Sequence, residues 1–168
     1  MKRTMLDTSV YGKLLEDSST LEEFGNSVLK FDYLLYGAPI IRKELRATPK
    51  SATLGSGKLR ILLLNLYDKF IVRENQDLKF NKLIETLSKD YFTEYKRNRG
   101  SLSSEAMAND FIIIATATIY RLDLVVSDDE RTMLSEASTK SYKNVNRKYG
   151  LRDPELKKYT AFKRELTR

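Results

Sequence analysis

Four acidic side chains stand beside apolar runs in this chain, at Asp7, Glu44, Asp110 and Asp128. Asp7 ends the N-terminal run Thr4-Met5-Leu6, and Thr8 or Ser9 suits the cap of a following helix. A carboxylate so placed lies at the carboxyl end of an inner strand, where open α/β sheets put their ligands. Asp128 follows Leu124-Val125-Val126 in the same way, and Glu44 falls on a helix after a second strand. Asp110 directly precedes Phe111-Ile112-Ile113-Ile114, where an acid is costly unless it is paired or binds a cation. Carboxylates that meet in one cleft repel each other, and a divalent cation removes the repulsion. Such an ion activates water, orients a phosphate and stabilises charge on a leaving oxygen. Taken alone, the spacing also suits a second account: Asp128 as a helix cap and Glu44 paired with Arg42 or Lys43.

Composition narrows the chemistry further. The 168 residues contain no histidine and no cysteine. Usual zinc sites, Ser-His-Asp triads, thiol nucleophiles and histidine-pair ribonuclease chemistry are therefore excluded. A bound metal would be held by carboxylates and carbonyls, which suits Mg²⁺ or Mn²⁺. The lack of disulfides fits a reducing compartment. Met1-Lys2-Arg3 runs directly into a strand-like segment without the pattern of a signal peptide. Phe111 to Tyr120 is too short to span a bilayer. The expectation is a cytoplasmic protein without a membrane segment.

The length and the 41% hydrophobic fraction suit one domain with a proper core. The formal net charge is +7. Residues 1–139 balance 20 Lys and Arg against 20 Asp and Glu, whereas residues 140–168 carry 10 basic side chains against 3 acidic ones. The tail also interleaves Tyr142, Tyr149, Tyr159 and Phe162. Two readings follow: phosphate contacts through Lys143, Arg147, Lys148, Lys157 and Lys158, or a closing helix that packs its aromatics and solvates its lysines. Both are compatible with a basic helical extension, residues 140–168, packed on a domain of residues 1–139.

The elements that must position the acids alternate in type. Arg3 to Leu6 reads as a strand, Val10 to Asp17 and Thr20 to Phe31 as helices, and Tyr33 to Tyr36 as a second strand. Pro39 suits the first turn of a helix that stops before Pro49, and Thr48 to Gly57 reads as a loop. Leu59 to Tyr67 is helical, Phe70 to Val72 a candidate third strand, and Leu78 to Tyr95 a long amphipathic helix. Ser104 to Arg121 has strand propensity in its isoleucines, but its length and its serine cap predict a buried helix. Asp123 to Val126 is the next strand, a helix follows from Glu130, and Tyr159 to Leu166 closes the chain. The alternation predicts an α/β fold: a three-layer α/β/α sandwich with a mostly parallel sheet of four or five strands.

Four segments in this order resemble the PIN domain (PilT N-terminus), the fold of many metal-dependent ribonucleases and of VapC-type toxins. Leu6-Asp7-Thr8-Ser9-Val10 is similar to the opening motif of that family. Pro39-Ile40-Ile41-Arg42-Lys43-Glu44-Leu45 is similar to the helix that carries its glutamate. Asn109-Asp110-Phe111-Ile112-Ile113-Ile114-Ala115-Thr116-Ala117 is similar to its Asp-x-x-Ile-x-Ala-x-Ala helix. Leu124 to Met133 is similar to its strand ending in hydroxyl and acidic residues, with Ser127 where threonine is commoner and Met133 where an aromatic is commoner. The resemblance implies Asp7, Glu44, Asp110 and Asp128 as catalytic acids, with Asp7, Asp110 and Asp128 holding Mg²⁺ or Mn²⁺. Ser9, Ser127 and Asp129 would support them by hydrogen bonds, and Thr8 is a further candidate.

The function so implied is a metal-dependent endoribonuclease acting on RNA, with an antitoxin partner if it is a VapC-type toxin, and with homodimers common in the family. The alternative is an RNA- or ribosome-associated PIN-like module with weak or no catalysis. A phosphotransfer domain using Asp7 as nucleophile lacks its Asp-x-Asp signature, because residue 9 is serine.

Overall fold

The computed structural model of the chain describes residues 1–30 and 32–166. Phe31, expected on the second helical stripe, and Arg168, counted in the basic tail, lie outside them. The chain begins with β1 (Lys2–Leu6), α1 (Thr8–Glu16), α2 (Ser18–Leu29) and β2 (Tyr33–Tyr36). α3 (Pro39–Ala47), a small hairpin of β3 (Thr53–Leu54) and β4 (Gly57–Lys58), and α4 (Leu59–Phe70) follow. Then come α5 (Lys82–Arg97), α6 (Ser104–Ile119), β5 (Leu124–Ser127), α7 (Glu136–Tyr149), β6 (Glu155–Lys158) and α8 (Tyr159–Leu166).

The main sheet has four parallel strands in the order β2-β1-β5-β6. β1 is interior, and Met5 and Leu6 are almost fully buried. The order carries a geometric consequence. From β1 the chain steps outward to β2, but from β5 it steps outward the other way to β6. Right-handed crossovers then put α1 and α2 on one face and α7 on the other. The helices sort accordingly: α5 packs on α6 and α7, while α2 packs on α1 and α8. Between β1 and β5 the winding reverses, so a crevice opens at their carboxyl ends.

Packing explains the elements. On one side Phe24 meets Tyr33, Phe70 and Phe162 edge-on, with ring centroids 5.8, 5.3 and 5.1 Å away. On the other, Phe111 of α6 meets Tyr91, Tyr95 and Tyr142 at 6.2, 5.7 and 5.8 Å. The isoleucine run is helical, capped by Ser103, because both flanks of α6 are covered and helix stereochemistry costs β-branched residues little there.

Several expectations are corrected. Phe70 ends α4 instead of starting a strand, because it shares a helical face with Leu63, Leu66 and Tyr67. The loop of residues 48–57 contains the β3–β4 hairpin. α5 begins only at Lys82, where the Asn81 carboxamide accepts from the Ile84 N–H. α7 begins at Glu136, capped by Ser135, and residues 130–134 form turns. The boundary drawn between residues 139 and 140 falls inside α7, and the basic tail is a helix, an edge strand and a helix. Glu155-Leu156-Lys157-Lys158 has little strand signature, since charged residues are a usual guard on a sheet edge. Lys157 is only 9% exposed and is gripped by Glu155 at 3.0 Å and Glu165 at 2.5 Å. No described helix is long and apolar enough to cross a membrane.

The tail is thus part of the core. Truncating Phe162, which is fully buried against Phe24 and Tyr33, should cost about 3–5 kcal/mol in Phe162→Ala. Urea unfolding would show a lower midpoint at unchanged slope. A midpoint equal to that of the wild type would mean that α8 is dispensable.

Candidate active site

Asp7 is the first residue after β1 and the N-cap of α1. Its backbone N–H still donates to Val126 O of β5 at 2.9 Å, so the residue is locked between strand and helix. Its side chain is 5% exposed. The Thr8 N–H donates to Oδ1 at 2.7 Å, and the Ser9 and Ser127 hydroxyls both donate to Oδ2 at 2.8 Å. The same hydroxyls accept from the next loop. Ser9 Oγ receives the Asp128 N–H at 3.1 Å, and Ser127 Oγ receives the Asp129 N–H at 3.0 Å. One carboxylate therefore ties the β1 turn to the β5 turn. Burial pushes its pKa up, against the pull of these hydrogen bonds, and the Glu44 charge adds to the rise.

Glu44 reaches the same place from α3. One oxygen accepts from the Thr8 hydroxyl, and the other accepts from Asn109 Nδ2 at 2.6 Å. Asp110 follows Asn109 on α6. Its Oδ2 is buried without a hydrogen-bond partner. Burial pushes its carboxyl up to about 7; the nearby Thr132 hydroxyl, which makes no hydrogen bond of full geometry, works in the other direction, and the charges of Asp7, Asp129 and Glu44 raise it further. Asp7, Glu44 and Asp110 thus lie near enough for their charges to act on one another.

Asp128 is not turned to them. Its carboxylate forms an ion pair with Lys13 of α1 at 3.4 Å, and its charge acts on Tyr159 of α8. Asp129 is the acid that acts on Asp110. Asp129 also stabilises its own turn, accepting from the Arg131 and Thr132 N–H groups at 2.9 Å each. Successive residues after a strand point in different directions, and the register of β5 decides which one faces α6. Asn109, Thr132 and Lys13 were not foreseen. Asn109 was legible only as the neighbour of Asp110, and the other two carry no sequence signal.

The donors are all oxygens, which suits a hard divalent cation. The unpartnered Asp110 Oδ2 and the raised Asp7 and Asp110 fit one as well. As they stand, the acids are turned to protein donors: among the described residues no three Asp or Glu side chains converge closely enough to hold an ion together.

The basic residues assigned to phosphate contact are spread out. α7 runs from the carboxyl edge of the sheet back to its amino edge, about 20 Å for its length. Arg147 and Lys148, in its last turn, therefore sit at the end opposite the acids, and Lys143 sits midway. Lys157 is buried in its ion pairs, and Lys158 is paired with Glu130 at 2.6 Å.

No family model matches the chain, and no curated protein sequence matches it. Solved structures do. VapBC2 from Rickettsia felis bound to a promoter DNA fragment is similar with a TM-score of 0.59 at 13% identity, over 94% of this chain and 98% of that one. VapBC-1 from nontypeable Haemophilus influenzae gives the same figures, 0.59, 13%, 94% and 98%. FitAcB from Neisseria gonorrhoeae gives 0.57 at 21% identity, over 81% of this chain and 93% of that one. At such identities the likeness is one of fold.

The raised Asp110 carboxyl has a measurable consequence. Unfolded, the group has its ordinary pKa of 3.8; folded, it is near 7. Between these values the folded state binds more protons, so this group lowers stability as pH rises from about 4 to 7. In EDTA at pH 8, Asp110→Asn should therefore be more stable than the wild type by about 1–3 kcal/mol. The gain should vanish towards pH 4. A constant difference across that range in urea titrations would contradict the buried, unpaired carboxylate.

Proposed function

We propose that the chain is a metal-dependent endoribonuclease that hydrolyses RNA phosphodiester bonds, working as the VapC-type toxin of a toxin–antitoxin pair. The observation that carries the reading is the buried Asp110 Oδ2, which has no partner and lies under the charges of Asp7, Asp129 and Glu44. A protein that keeps such a group without a cation loses stability for no structural return. The chain has no histidine for acid–base chemistry of the histidine-pair kind, and its buried carboxylates favour oxygen-held Mg²⁺ or Mn²⁺ as the route to phosphodiester hydrolysis.

In this reading Asp7, Asp110 and Asp129 hold the ion, with Asp129 taking the place that the sequence assigned to Asp128. When bound, the ion supplies positive charge for the scissile phosphate and acidifies water. Ser9 and Ser127 fix the direction of the Asp7 carboxylate through their hydrogen bonds. We assign to Glu44 the acceptance of the proton from attacking water, with Asn109 and Thr8 holding its carboxylate in line. Protons compete with the cation for Asp110, so affinity for the ion falls as pH drops below about 7.

The partner assignment draws on the fold likeness to VapBC and FitAcB structures, one of them bound to a promoter fragment. An antitoxin, a second copy of the chain and a cytoplasmic setting belong to the same proposal. The alternative, an RNA- or ribosome-associated module with weak or no catalysis, gains from one observation: both oxygens of Glu44 are taken by Thr8 and Asn109.

Cleavage of a labelled RNA with Mn²⁺ separates these readings. Wild-type protein should cut, and Asp7→Asn should reduce cutting at least ~100-fold while its circular dichroism stays that of the folded wild type. Asp129→Asn should cost about 10–100-fold, and Asp128→Asn less than that. RNA binding without cutting by the wild type would establish the non-catalytic module. A larger loss in Asp128→Asn than in Asp129→Asn would return the last acid to position 128.

A further inference from the structure

We infer that α3, the β3–β4 hairpin and the first turn of α4 form an RNA-binding arm whose cations hold the phosphate backbone beside the acidic cleft; this rests on the ribonuclease reading of that cleft. Residues 42–60 carry Arg42, Lys43, Arg46, Lys50, Lys58 and Arg60 against one acid, Glu44. The even charge count over residues 1–139 conceals this excess, because acids elsewhere cancel it in the sum. Arg42 is engaged by Asp68 and lies over the Tyr67 ring. The other five have no ion-pair partner among the described residues. In the tail, Arg152, Lys157, Lys158 and Lys163 have carboxylate partners, whereas Lys140, Lys143, Arg147 and Lys148, all on α7, form no ion pair among the described residues.

Position favours the arm too. Lys43 and Arg46, three apart, share the outer face of α3, while Ile41 and Leu45 face the core. The same helix delivers Glu44 to Thr8 and Asn109, so the arm is a continuation of the cleft wall. Lys50 follows the helix, Lys58 ends the hairpin, and Arg60 opens α4. The hairpin is held by Thr53–Lys58 pairing and by Leu59 N–H donating to Ala52 O at 3.0 Å, with Gly55 at φ +57° turning the chain. Its exposed residues are Ser51, Thr53, Gly55, Ser56 and Lys58. No large apolar side chain is exposed within residues 42–60, and Ile61 in the first turn of α4 is the one exposed beside them. Cations and hydroxyls on a small ribbon suit phosphate oxygens. They offer nothing to an apolar groove or to a bilayer interior. An acidic cleft repels a polyanion unless cations flank it, and the helix that carries Glu44 also carries Lys43 and Arg46.

The test is fluorescence anisotropy of a fluorescein-labelled single-stranded RNA in EDTA, across salt concentrations. Lys50→Gln/Lys58→Gln/Arg60→Gln should weaken binding and shrink the salt slope by about 2, at roughly 0.7 for each phosphate no longer held. Lys43→Gln/Arg46→Gln, on the helix, should shrink it by about 1.4. Arg147→Gln/Lys148→Gln, at the far end of α7, should leave the slope unchanged. Unaltered slopes in both arm variants, weaker binding in the α7 variant instead, or no binding by the wild type would each overturn the arm. Mn²⁺-dependent cleavage reports on the other question. Arm-dependent binding without cleavage removes the nuclease reading and keeps the arm, whereas cleavage with unaltered slopes keeps the nuclease and removes the arm.

Discussion

Everything at the carboxyl edge of the sheet depends on one buried carboxylate. Asp7 takes three hydrogen bonds, from Thr8, Ser9 and Ser127, and the two serine hydroxyls pass the linkage on to the backbone of Asp128 and Asp129. The β1 and β5 turns are therefore one unit. β1 and β5 are also the neighbours between which the sheet reverses its winding. A crevice at that point is a geometric necessity of the strand order, and its floor is Asp7.

The walls are set by helices that arrive from both faces. α3 brings Glu44 and α6 brings Asn109 and Asp110, and the two are joined across the cleft by the Asn109–Glu44 hydrogen bond. The site is thereby electrostatically loaded. Burial and mutual repulsion hold the Asp7 and Asp110 carboxyls above their ordinary range, while the hydroxyl and amide donors oppose the effect at Asp7. Low dielectric makes each unpaired charge expensive, and the same property would make a bound cation effective. The geometry is that of a site built at a cost in stability, which is common where chemistry is done.

Charge elsewhere divides by partner. The tail lysines at the carboxyl edge are neutralised by Glu130, Glu155, Glu165 and Asp17, so they serve the docking of β6 and α8. Arg147 and Lys148 lie at the opposite edge, and Arg152 there pairs with Asp123 at 3.2 Å. A large formal charge in one segment of sequence is not a patch in space. Conversely, residues 42–60 carry five cations without an ion pair among the described residues, although the larger sum hides them.

The sequence by itself determined the α/β alternation, the interior first strand, the buried isoleucine helix and the placing of Asp7 at the carboxyl end of that strand. These are consequences of local patterns: apolar runs set element type, and a residue directly after a strand or within the first turns of a helix has little choice of edge. The family resemblance also named Ser9 and Ser127 as hydrogen-bonding supports of the acids, and the structure makes Asp7 the one they bond. Only the tertiary structure set Asp128 against Lys13 and put the charge of Asp129 near Asp110, because the register of β5 and the position of Lys13 on α1 determine where each side chain lies. It alone made Glu155–Lys158 a strand, since a charged edge strand acquires its structure from β5 and from Glu165 on α8. And it alone separated unpaired cations from paired ones. Pairing depends on side chains up to 146 residues apart, as in Lys163 with Asp17, and no pattern along the chain records such a distance.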